Sequence, residues 1–493
     1  MATVTPVKAA MHTPMAKNVP LRMTCRALAC GLLCGAGALQ AQELDPAART
    51  EPALSIVPRV SMVQTFTDNV NLSAVDKQAD QITEISPGIH INSSGGHLKG
   101  YFDYALRGIA YGQGSQPGAY QNALDTAGVL EAVDRTLYVD FGGAISQQSI
   151  SAFAPQSSAG SYSNVNKTEV ASYRVSPYLR GRLGGQGEYL VRLARAITQS
   201  DVSGASLVAT SDALVSLDSN RLWGNLGVVA DASRKGIDYS TGRYTETDLV
   251  NLGLSYAASP QLRVVVKGGQ EASNYASADK QSYATSDLLV NWTPSEHAQV
   301  SASWGNRSFG ETHAFSLEHR TALTRIRFAD SRDLSAVPGA VAGLGSAQGT
   351  LPSGVNNFLT SALSLQRRQD LSIALLGVRS SLEVIASQSD VSRLDTFSSA
   401  VDDLVRASLR QSGVIVNLER RLTAATTLRL SAQQQLTTGS ANQQDSWLNQ
   451  VSLSLSTQVG SQTTLGLGLR RTVYSGLSAY DESACLFNLT LAF

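Results

Sequence analysis

The residue types that carry out metal, nucleophilic or acid–base chemistry are sparse and scattered in this sequence. Five of its six histidines follow residue 41, and these are His90, His97, His297, His313 and His319. None of them has the short spacing of a metal motif. His313 and His319 lie six residues apart in "ETHAFSLEH", too far for two ligands on one strand face. The sequence also contains no GxSxG, HExxH or phosphate-loop motif. It therefore predicts no enzyme, no metal centre and no cofactor.

One pair of side chains could supply oxygen ligands. Asp68 and Asn69 follow an apolar segment in "FTDNVNL", and carboxylate and amide oxygens are ligands that Ca²⁺ accepts. The same residue types commonly form Asx turns, in which the side chain accepts a hydrogen bond from the backbone two residues later. The simpler interpretation is a turn that closes the first strand.

The first 41 residues have the three parts of a secretory signal peptide. A basic leader precedes the apolar run "ALACGLLCGAGAL", and "QA" and the acidic "QELD" follow it. This pattern predicts a signal peptide at 1–41, cleaved after Ala41. The apolar run is too short to span a membrane as a helix. A lipid anchor at Cys30 or Cys34 is the alternative, although Arg26 and Leu33 are poor neighbours for it.

Cysteine usage limits how the exported chain can be stabilised. Three of the four cysteines lie before residue 41, so Cys485 is the only one in the predicted mature chain. Neither an intramolecular disulfide nor a cysteine metal site can form there. A long exported protein without disulfides needs another source of stability.

The elements that hold these residues are strands with a period of two. "QVSLSLSTQV" alternates apolar Val451, Leu453 and Leu455 with serines, and "TTLGLGLRRTVY" alternates leucines with Gly, Arg and Thr. The stretches "TTLRLSAQQQL", "SGVIVNLERRL", "LVNLGLSY" and "QLRVVVKGG" have the same pattern. Each is typical of a strand with one apolar and one polar face.

The composition of the polar faces separates two folds. A soluble sandwich would carry many Lys and Glu residues outside, but charged residues make up 16% of this chain, and Ser, Thr, Gln, Gly and Asn fill the polar positions. Such faces suit the water-filled lumen of a transmembrane barrel whose other face meets lipid. The net charge of zero excludes the basic excess of nucleic-acid-binding proteins.

The predicted fold is an all-β, antiparallel transmembrane barrel of the bacterial outer membrane, with about 18–22 strands and 22 as the best count. Short turns such as "TPSE" (293–296) and "LDSN" (217–220) alternate with longer polar connections. An even number of strands requires one further strand, which the sequence suggests at 357–366. The expected organisation is a short periplasmic segment at 42–53 followed by a single barrel at 54–493.

One segment interrupts the repeat. Residues 330–355 are long, rich in small residues and, by the expected alternation of turns, on the periplasmic side. One interpretation is a flexible loop. The other is a plug or constriction that folds into the lumen, as wide barrels often carry.

Several stretches resemble the exosortase/PEP-CTERM-associated outer-membrane proteins, a β-barrel porin group that includes the EpsL-like proteins of exopolysaccharide loci. They are spread over most of the chain: "FTDNVNL" (66–72), "ISPGIHI" (85–91), "FDYAL" (102–106), "SYRVSPYL" (172–179), "WGNRSFGETH" (304–313) and the terminal Phe493. The resemblance implies an outer-membrane barrel associated with exopolysaccharide export or with surface-protein sorting. It implies no catalytic residue. A barrel that serves as a scaffold without a conducting pore is the alternative.

The best functional candidates are polar residues that the alternation places inside the barrel: Asn251, Arg263, Lys267, Glu419, Arg421, Arg429, Gln433, Gln435 and Arg470. A wall of mixed charge among neutral polar groups would suit passage of sugars, because the residues that line a pore set its selectivity. Alternatively, the Arg and Glu residues pair along the wall and hold the shape of the barrel.

The last ten residues, "ACLFNLTLAF", predict the closing strand of the barrel. Its alternate residues Phe487, Leu489, Leu491 and Phe493 are expected to face lipid and to form the signal that the barrel assembly machinery recognises. Cys485 would lie on the same face as a small apolar residue. The expected partners are therefore outer-membrane lipid, lipopolysaccharide, the assembly machinery and, through the resemblance, exopolysaccharide and its export components, with no nucleic acid.

Overall fold

The structure is a computed structural model in which the following residues are described: 54–156, 166–184, 187–201, 207–240, 242–275, 277, 279–335, 363–394, 408–439, 444–476 and 478–493. The predicted signal peptide, the segment 42–53 and most of the predicted plug lie outside these residues. No helix in the described part of the chain is long and apolar enough to cross a membrane.

The described residues form 22 strands joined by turns and loops. In chain order they are β1 Leu54–Thr67, β2 Asp80–Ser93, β3 Leu98–Tyr111, β4 Ala119–Val133, β5 Leu137–Ser149, β6 Lys167–Leu183, β7 Gly187–Ser200, β8 Leu207–Trp223, β9 Leu226–Tyr239, β10 Tyr244–Ser259, β11 Leu262–Ser273, β12 Gln281–Ser295, β13 Ala298–Arg307, β14 Gly310–Arg320, β15 Thr324–Ser335, β16 Ser364–Leu376, β17 Ser380–Arg393, β18 Leu409–Arg421, β19 Thr426–Gly439, β20 Gln444–Gln458, β21 Thr463–Ser475 and β22 Tyr480–Ala492.

These strands form one closed antiparallel sheet. Each strand pairs with the next in sequence, and β1 pairs with β22 from Arg59 opposite Ala492 to Thr67 opposite Ala484. Closure leaves no strand edge with unpaired backbone N–H and C=O groups, which would be costly in lipid. The prediction of an antiparallel barrel with 22 strands is confirmed.

The two ends of the barrel differ in the length of their connections. At one end, named here the short-turn end, two to four residues join β2 to β3, β4 to β5 and each later even strand to the next odd one. At the other, the long-loop end, the connections range from two residues to the 28 between Ser335 and Ser364. Both β1 and β22 have their outer ends, Leu54 and Ala492, at the short-turn end.

The total of 22 strands is right. Of the further strand predicted at 357–366, residues 357–362 lie outside the described residues, and Ser364–Gln366 are the first residues of β16. The sequence patterns did not predict the turn between β14 and β15, which residues 321–323 form. There "HRTALTR" carries neither Gly nor Pro to mark a turn. The predicted turn at 217–220 is also wrong, because β8 continues to Trp223 and turns at Gly224, which has a φ of 65°.

The segment 330–355 is corrected on two points. Its first residues, 330–335, belong to β15 and are part of the barrel wall. Because β15 ends at the long-loop end, the connection to β16 is at that end and not at the end of the short turns. Residues 336–355 lie outside the described residues, so a plug formed by them stays a prediction.

Side chains alternate between the two faces of the wall. Along β10, the outward residues Val250, Leu252 and Leu254 are 60%, 64% and 58% exposed, whereas the intervening Asn251 is 2% exposed. Apolar residues can face outward in such numbers only if the outer medium is itself apolar. The pattern gives the barrel an apolar exterior and a polar interior.

Arginine substitutions on the two faces of β19 test this orientation. Leu430 faces outward and is 40% exposed, whereas Gln433 faces the lumen. Leu430→Arg should lower the free energy of unfolding by roughly 2–4 kcal/mol, because it places a charge in lipid. Gln433→Arg should change it by less than about 1 kcal/mol, because its polar face already accepts charge. Urea unfolding in lipid vesicles measures both, and equal losses would contradict the assignment of faces.

Candidate functional site

The lumen wall is the candidate functional site, and an ion pair spans its strands from β8 to β11. Arg263 of β11 donates two hydrogen bonds to the carboxylate of Asp218 in β8, with donor–acceptor distances of 3.0 and 2.6 Å. Two such parallel bonds fix the geometry as well as adding energy. The pair ties together strands that are three positions apart in the sheet.

A second network lies beside it. The ammonium group of Lys267 donates to Asp231 at 2.6 Å, and the amide of Asn251 donates to the same carboxylate at 3.0 Å. Thr285 of β12 in turn donates to the Asn251 side-chain oxygen at 2.9 Å. Burial of Asn251 costs little because both ends of its amide are hydrogen-bonded. Side chains of β9 to β12 are thereby linked on the lumen side.

Three further pairs repeat this arrangement around the wall. Arg307 pairs with Asp287 at 3.2 Å, and Arg429 pairs with Glu419 at 2.9 Å. At the closure, Arg470 of β21 pairs with Glu482 at 3.1 Å. Thr67 of β1 also donates to Glu482 at 2.9 Å, which links β21, β22 and β1.

The structure thus brings most of the predicted lumen residues into contacts with neighbouring strands. Of the others, Gln435 is buried and donates to Thr437 at 3.3 Å, and Gln433 lies opposite Gln450 and is partly exposed. Arg421 is exposed at the end of β18, where its backbone N–H donates to the Arg379 carbonyl. These contacts favour the interpretation that the charged groups hold the shape of the wall.

Of the acidic partners in these pairs, only Glu419 was predicted. Asp218 lies within the segment that sequence patterns assigned to a turn, and its partner Arg263 is 45 residues away. Asp231, Asp287 and Glu482 occupy inward positions of their strands. Continued alternation through Val215 and Leu217 was the signal that could have placed Asp218 in a strand.

Part of the loop between β5 and β6 forms a compact segment, residues 150–156, named here the strap. Asn166 organises it: the Asn166 amide accepts from the Ser151 N–H at 2.8 Å and donates to the Ser151 carbonyl at 3.0 Å. Gln156 is 5% exposed, and its side chain accepts from Ser149 at 2.7 Å. Several backbone groups of the strap are therefore hydrogen-bonded without a regular element.

The strap contacts strands half a ring away from β5 and β6. Ala152 packs in a buried cluster with Val391 of β17 and Leu409 of β18. The Phe153 ring lies against Gly439 at the end of β19, where an added Cβ atom would come within 2.6 Å of its Cζ atom. Because the sheet is a closed ring, a segment that starts at β5 and reaches β17 to β19 must cross the long-loop opening.

Two tyrosines hold the strap from a third direction. Tyr474 of β21 donates its hydroxyl to the Phe153 carbonyl at 2.7 Å, and Tyr480 of β22 donates to the Gln156 carbonyl. The two rings stack at 5.6 Å, and Leu72 from the β1–β2 loop packs in the same buried cluster. The opening at this end is therefore crossed by a segment that both polar and apolar contacts secure.

Another apolar cluster lies at the long-loop end. Val208 of β8 and Tyr239 of β9 share it with Leu334 of β15 and with Tyr275 from the β11–β12 loop. Thr247 donates its hydroxyl to the Tyr275 hydroxyl oxygen, and burial raises the pKa of this phenol. The long-loop end is thus packed by side chains from several parts of the ring.

Asp68 and Asn69 are used inside the β1–β2 loop. The Asn69 amide accepts from the Ser73 N–H at 3.0 Å and donates to the Asp481 carbonyl at 2.9 Å. Asp68 accepts from the Ser483 N–H at 2.7 Å. Both side chains therefore tie the loop to β22, and the described residues contain no group of His, Cys, Asp or Glu that could hold a metal ion.

The closing strand has the expected orientation. Phe487 is 49% exposed on the outer face, with its ring centroid 6.1 Å from that of Phe66 in β1. Cys485 lies opposite Phe66 and Leu469 on the same face. Phe493 donates its backbone N–H to the Pro58 carbonyl at 2.9 Å. Recognition of these residues by the assembly machinery stays a prediction.

The outer surface defines the class of protein. Aromatic side chains are exposed near both ends of its apolar band: Trp304, Trp447 and Tyr244 near the long-loop end, and Trp223 and Trp292 near the short-turn end. An apolar band between two aromatic girdles on a closed antiparallel sheet is the architecture of outer-membrane barrels. The chain is a transmembrane β-barrel of the bacterial outer membrane, and in such barrels the short turns face the periplasm.

Comparison with known proteins supports the fold and does not identify the protein. No family model and no curated protein matches the sequence. The FrpB iron transporter of Neisseria meningitidis (F5-1 variant, apoprotein form) has a TM-score of 0.50 and 10% identity, covering 88% of this chain and 81% of FrpB. A mutant of the ferric enterobactin receptor PfeA of Pseudomonas aeruginosa has a TM-score of 0.47 and 9% identity, covering 89% and 80%. At this identity the likeness to FrpB is one of fold.

Removal of the tyrosine hydroxyls tests how the strap is held. Tyr474→Phe and Tyr480→Phe each delete one hydrogen bond to a strap carbonyl, and each should cost about 1 kcal/mol of local stability. Hydrogen–deuterium exchange at residues 150–153 should accelerate in both variants, most in the double variant. Tyr256→Phe, on the outer face of β10, is the control. Unchanged exchange in the double variant would show that apolar packing alone holds the strap.

Proposed function

We propose that this barrel is a gated conduit for polar solutes across the outer membrane. The observation that carries the proposal is the strap, which crosses the long-loop opening above a wall of hydroxyl, amide and paired charged groups. A scaffold barrel needs no such wall, whereas a channel that must stay closed at rest needs both a polar lining and a movable obstruction.

The burial of inward side chains along the lumen supports a conduit that is obstructed at the long-loop end. Near the long-loop end the inward residues Thr67 and Thr472 are 5% and 0% exposed. Near the short-turn end the inward side chains of Arg59 and Arg429 are 30% and 39% exposed. At these positions the polar wall is accessible from the short-turn side and covered at the long-loop side, so movement at the long-loop end would be the step that opens a path.

The finer proposal concerns the solute. The stretches that resemble the exosortase/PEP-CTERM-associated group, including "FTDNVNL" (66–72), lead us to propose exopolysaccharide, or material of a related surface-sorting system, as the cargo. A neutral polar lining suits sugars because hydroxyl and amide groups can exchange hydrogen bonds with them. FrpB is named as an iron transporter, and transport of some solute by the present barrel is in keeping with that shared fold.

A second candidate is a structural barrel without a conducting pore. It is favoured by the number of contacts that secure the strap, which include the apolar cluster of Ala152, the packing of Phe153 against Gly439 and two tyrosine hydrogen bonds. In that case the long loops would organise partners at the cell surface. The two candidates differ in what happens when the strap is loosened.

Planar-bilayer recordings separate the candidates. Replacement of residues 151–156 by a Gly/Ser segment of equal length should raise single-channel conductance severalfold, because it removes the Phe153 and Ala152 contacts with β17 to β19. The control is the same replacement at 112–118, a loop that is anchored to Asp80 of the adjacent strand. Sealed recordings from the strap variant, with the barrel correctly folded, would leave the scaffold function.

A chromosomal deletion tests the cargo. If the protein exports polysaccharide, the deletion strain should lose surface polysaccharide while uptake of small solutes stays unchanged. Complementation with the intact gene should restore the polysaccharide. Normal polysaccharide together with reduced solute uptake would contradict the export proposal and favour general diffusion.

A further inference from the structure

Two arginines face each other on the lumen side of the β14–β15 hairpin. Arg320 is directly opposite Arg325 in the strand register, and Glu318 is opposite Arg327 one step further from the turn. Like charges directly opposite each other in a sheet are destabilising. Arg327 is compensated by Glu318, with a nitrogen–oxygen distance of 3.3 Å, but the Arg320–Arg325 pair has no carboxylate on its own cross-strand row of the hairpin.

Arg325 is the centre of this arrangement. The other guanidinium groups of Arg320 and Arg327 act on it electrostatically, as do the carboxylates of Glu318 and Glu383. Its Nε atom is buried and has no hydrogen-bond partner among the described residues. A buried N–H that lacks an acceptor costs free energy unless a ligand or water supplies one.

Further arginines lie on β18 and β19, which β16 and β17 separate from the hairpin. Arg421 and Arg429, with Glu419, occupy the inward side of β18 and β19 in the half nearest the short-turn end. We name these eight residues the arginine patch: Arg320, Arg325, Arg327, Arg421, Arg429, Glu318, Glu383 and Glu419. Two of its five arginines form the pairs Arg327–Glu318 and Arg429–Glu419. The other three, Arg320, Arg325 and Arg421, outnumber the remaining Glu383, unlike the one-to-one pairs Arg263–Asp218 and Arg307–Asp287.

The patch faces the lumen and not the lipid. The residues that alternate with it, Leu317 and Ile326, lie on the outer face, and the adjacent Phe315 and Phe328 rings contact each other there at 5.7 Å. Lipid headgroups outside the barrel therefore do not explain the charge. The groups that reach the patch are those that enter the lumen from the short-turn end.

A column of amides and hydroxyls leads away from the patch along β18 and β19. Ser431 donates to the Asn417 side chain at 2.7 Å, and Gln433 and Gln435 follow on the same face of β19. These groups both donate and accept hydrogen bonds. The column connects the arginine patch to the middle of the lumen without a further unpaired charge.

We propose that the arginine patch and this column bind an acidic polysaccharide, with its carboxylates on the arginines and its hydroxyls on the amides. This inference rests on the proposed conduit function and names the substrate class. Guanidinium groups bind carboxylates in a planar, bidentate geometry. The acceptor oxygens of a uronate would satisfy the Arg325 Nε and relieve the repulsion between Arg320 and Arg325. The site lies at the periplasmic mouth, where an exported chain enters.

Calorimetric titration of the detergent-solubilised barrel tests the site without requiring conductance. The probes are hexagalacturonate, which carries a carboxylate on each sugar, and maltohexaose, which carries none. The intact barrel should bind hexagalacturonate at least tenfold more tightly than maltohexaose. Arg320→Gln with Arg325→Gln should weaken hexagalacturonate binding by roughly tenfold or more, because charge-assisted hydrogen bonds are lost.

The control is Arg410→Gln, which removes an exposed arginine from the outer face of β18 near the long-loop end. Hexagalacturonate affinity should be unchanged in it. Arg320→Gln alone, at the edge of a turn, should fold normally and still weaken binding, which covers the case in which the double variant fails to fold. Equal affinity for the two sugars, or unchanged affinity in the Arg320 variant, would overturn the proposal.

The result of the sugar-binding experiment can be distinguished from the result of the conductance experiment. Hexagalacturonate binding without conductance in the strap variant would refute transport and leave the acidic-sugar site in place. Conductance without discrimination between the two sugars would support transport and refute the acidic-sugar site.

Discussion

The rest of the structure depends on one constraint, which is that every backbone N–H and C=O group inside lipid must be hydrogen-bonded within the protein. The pairing of β1 with β22 meets it by removing the last open edge. Closure then forces each strand to present one face outside and one inside. It also explains why Glu482 is shared between Arg470 and Thr67, since this buried carboxylate lies where the two terminal strands meet.

Closure of the wall limits the groups that a lumen-facing charged side chain can contact. Many charged side chains that face the lumen are shielded from bulk water. Most of them therefore form ion pairs with a side chain of opposite charge. The bidentate Arg263–Asp218 contact and the Lys267–Asp231–Asn251 network show how such pairs link strands that are not neighbours. They contribute to the shape of the barrel more than to its selectivity.

The two ends of the lumen have different physical properties. At the long-loop end, the strap and apolar clusters cover the opening. Phe153 can lie against β19 only because Gly439 has no side chain there. At the short-turn end, the inward side chains of Arg59 and Arg429 are 30% and 39% exposed. The two ends of the barrel therefore differ in how far their inward side chains are covered.

The sequence by itself determined the period-two strands, their number and the outward position of residues such as Leu430 and Phe487, because alternation and turn residues are local signals. It misplaced the turn at 217–220 and missed the turn at 321–323, where the local signal was misleading or weak. Only the tertiary structure decided that Arg263 meets Asp218, that Arg320 faces Arg325 and that Phe153 reaches Gly439. These contacts depend on strand register and on ring closure, which bring together residues that no local pattern relates.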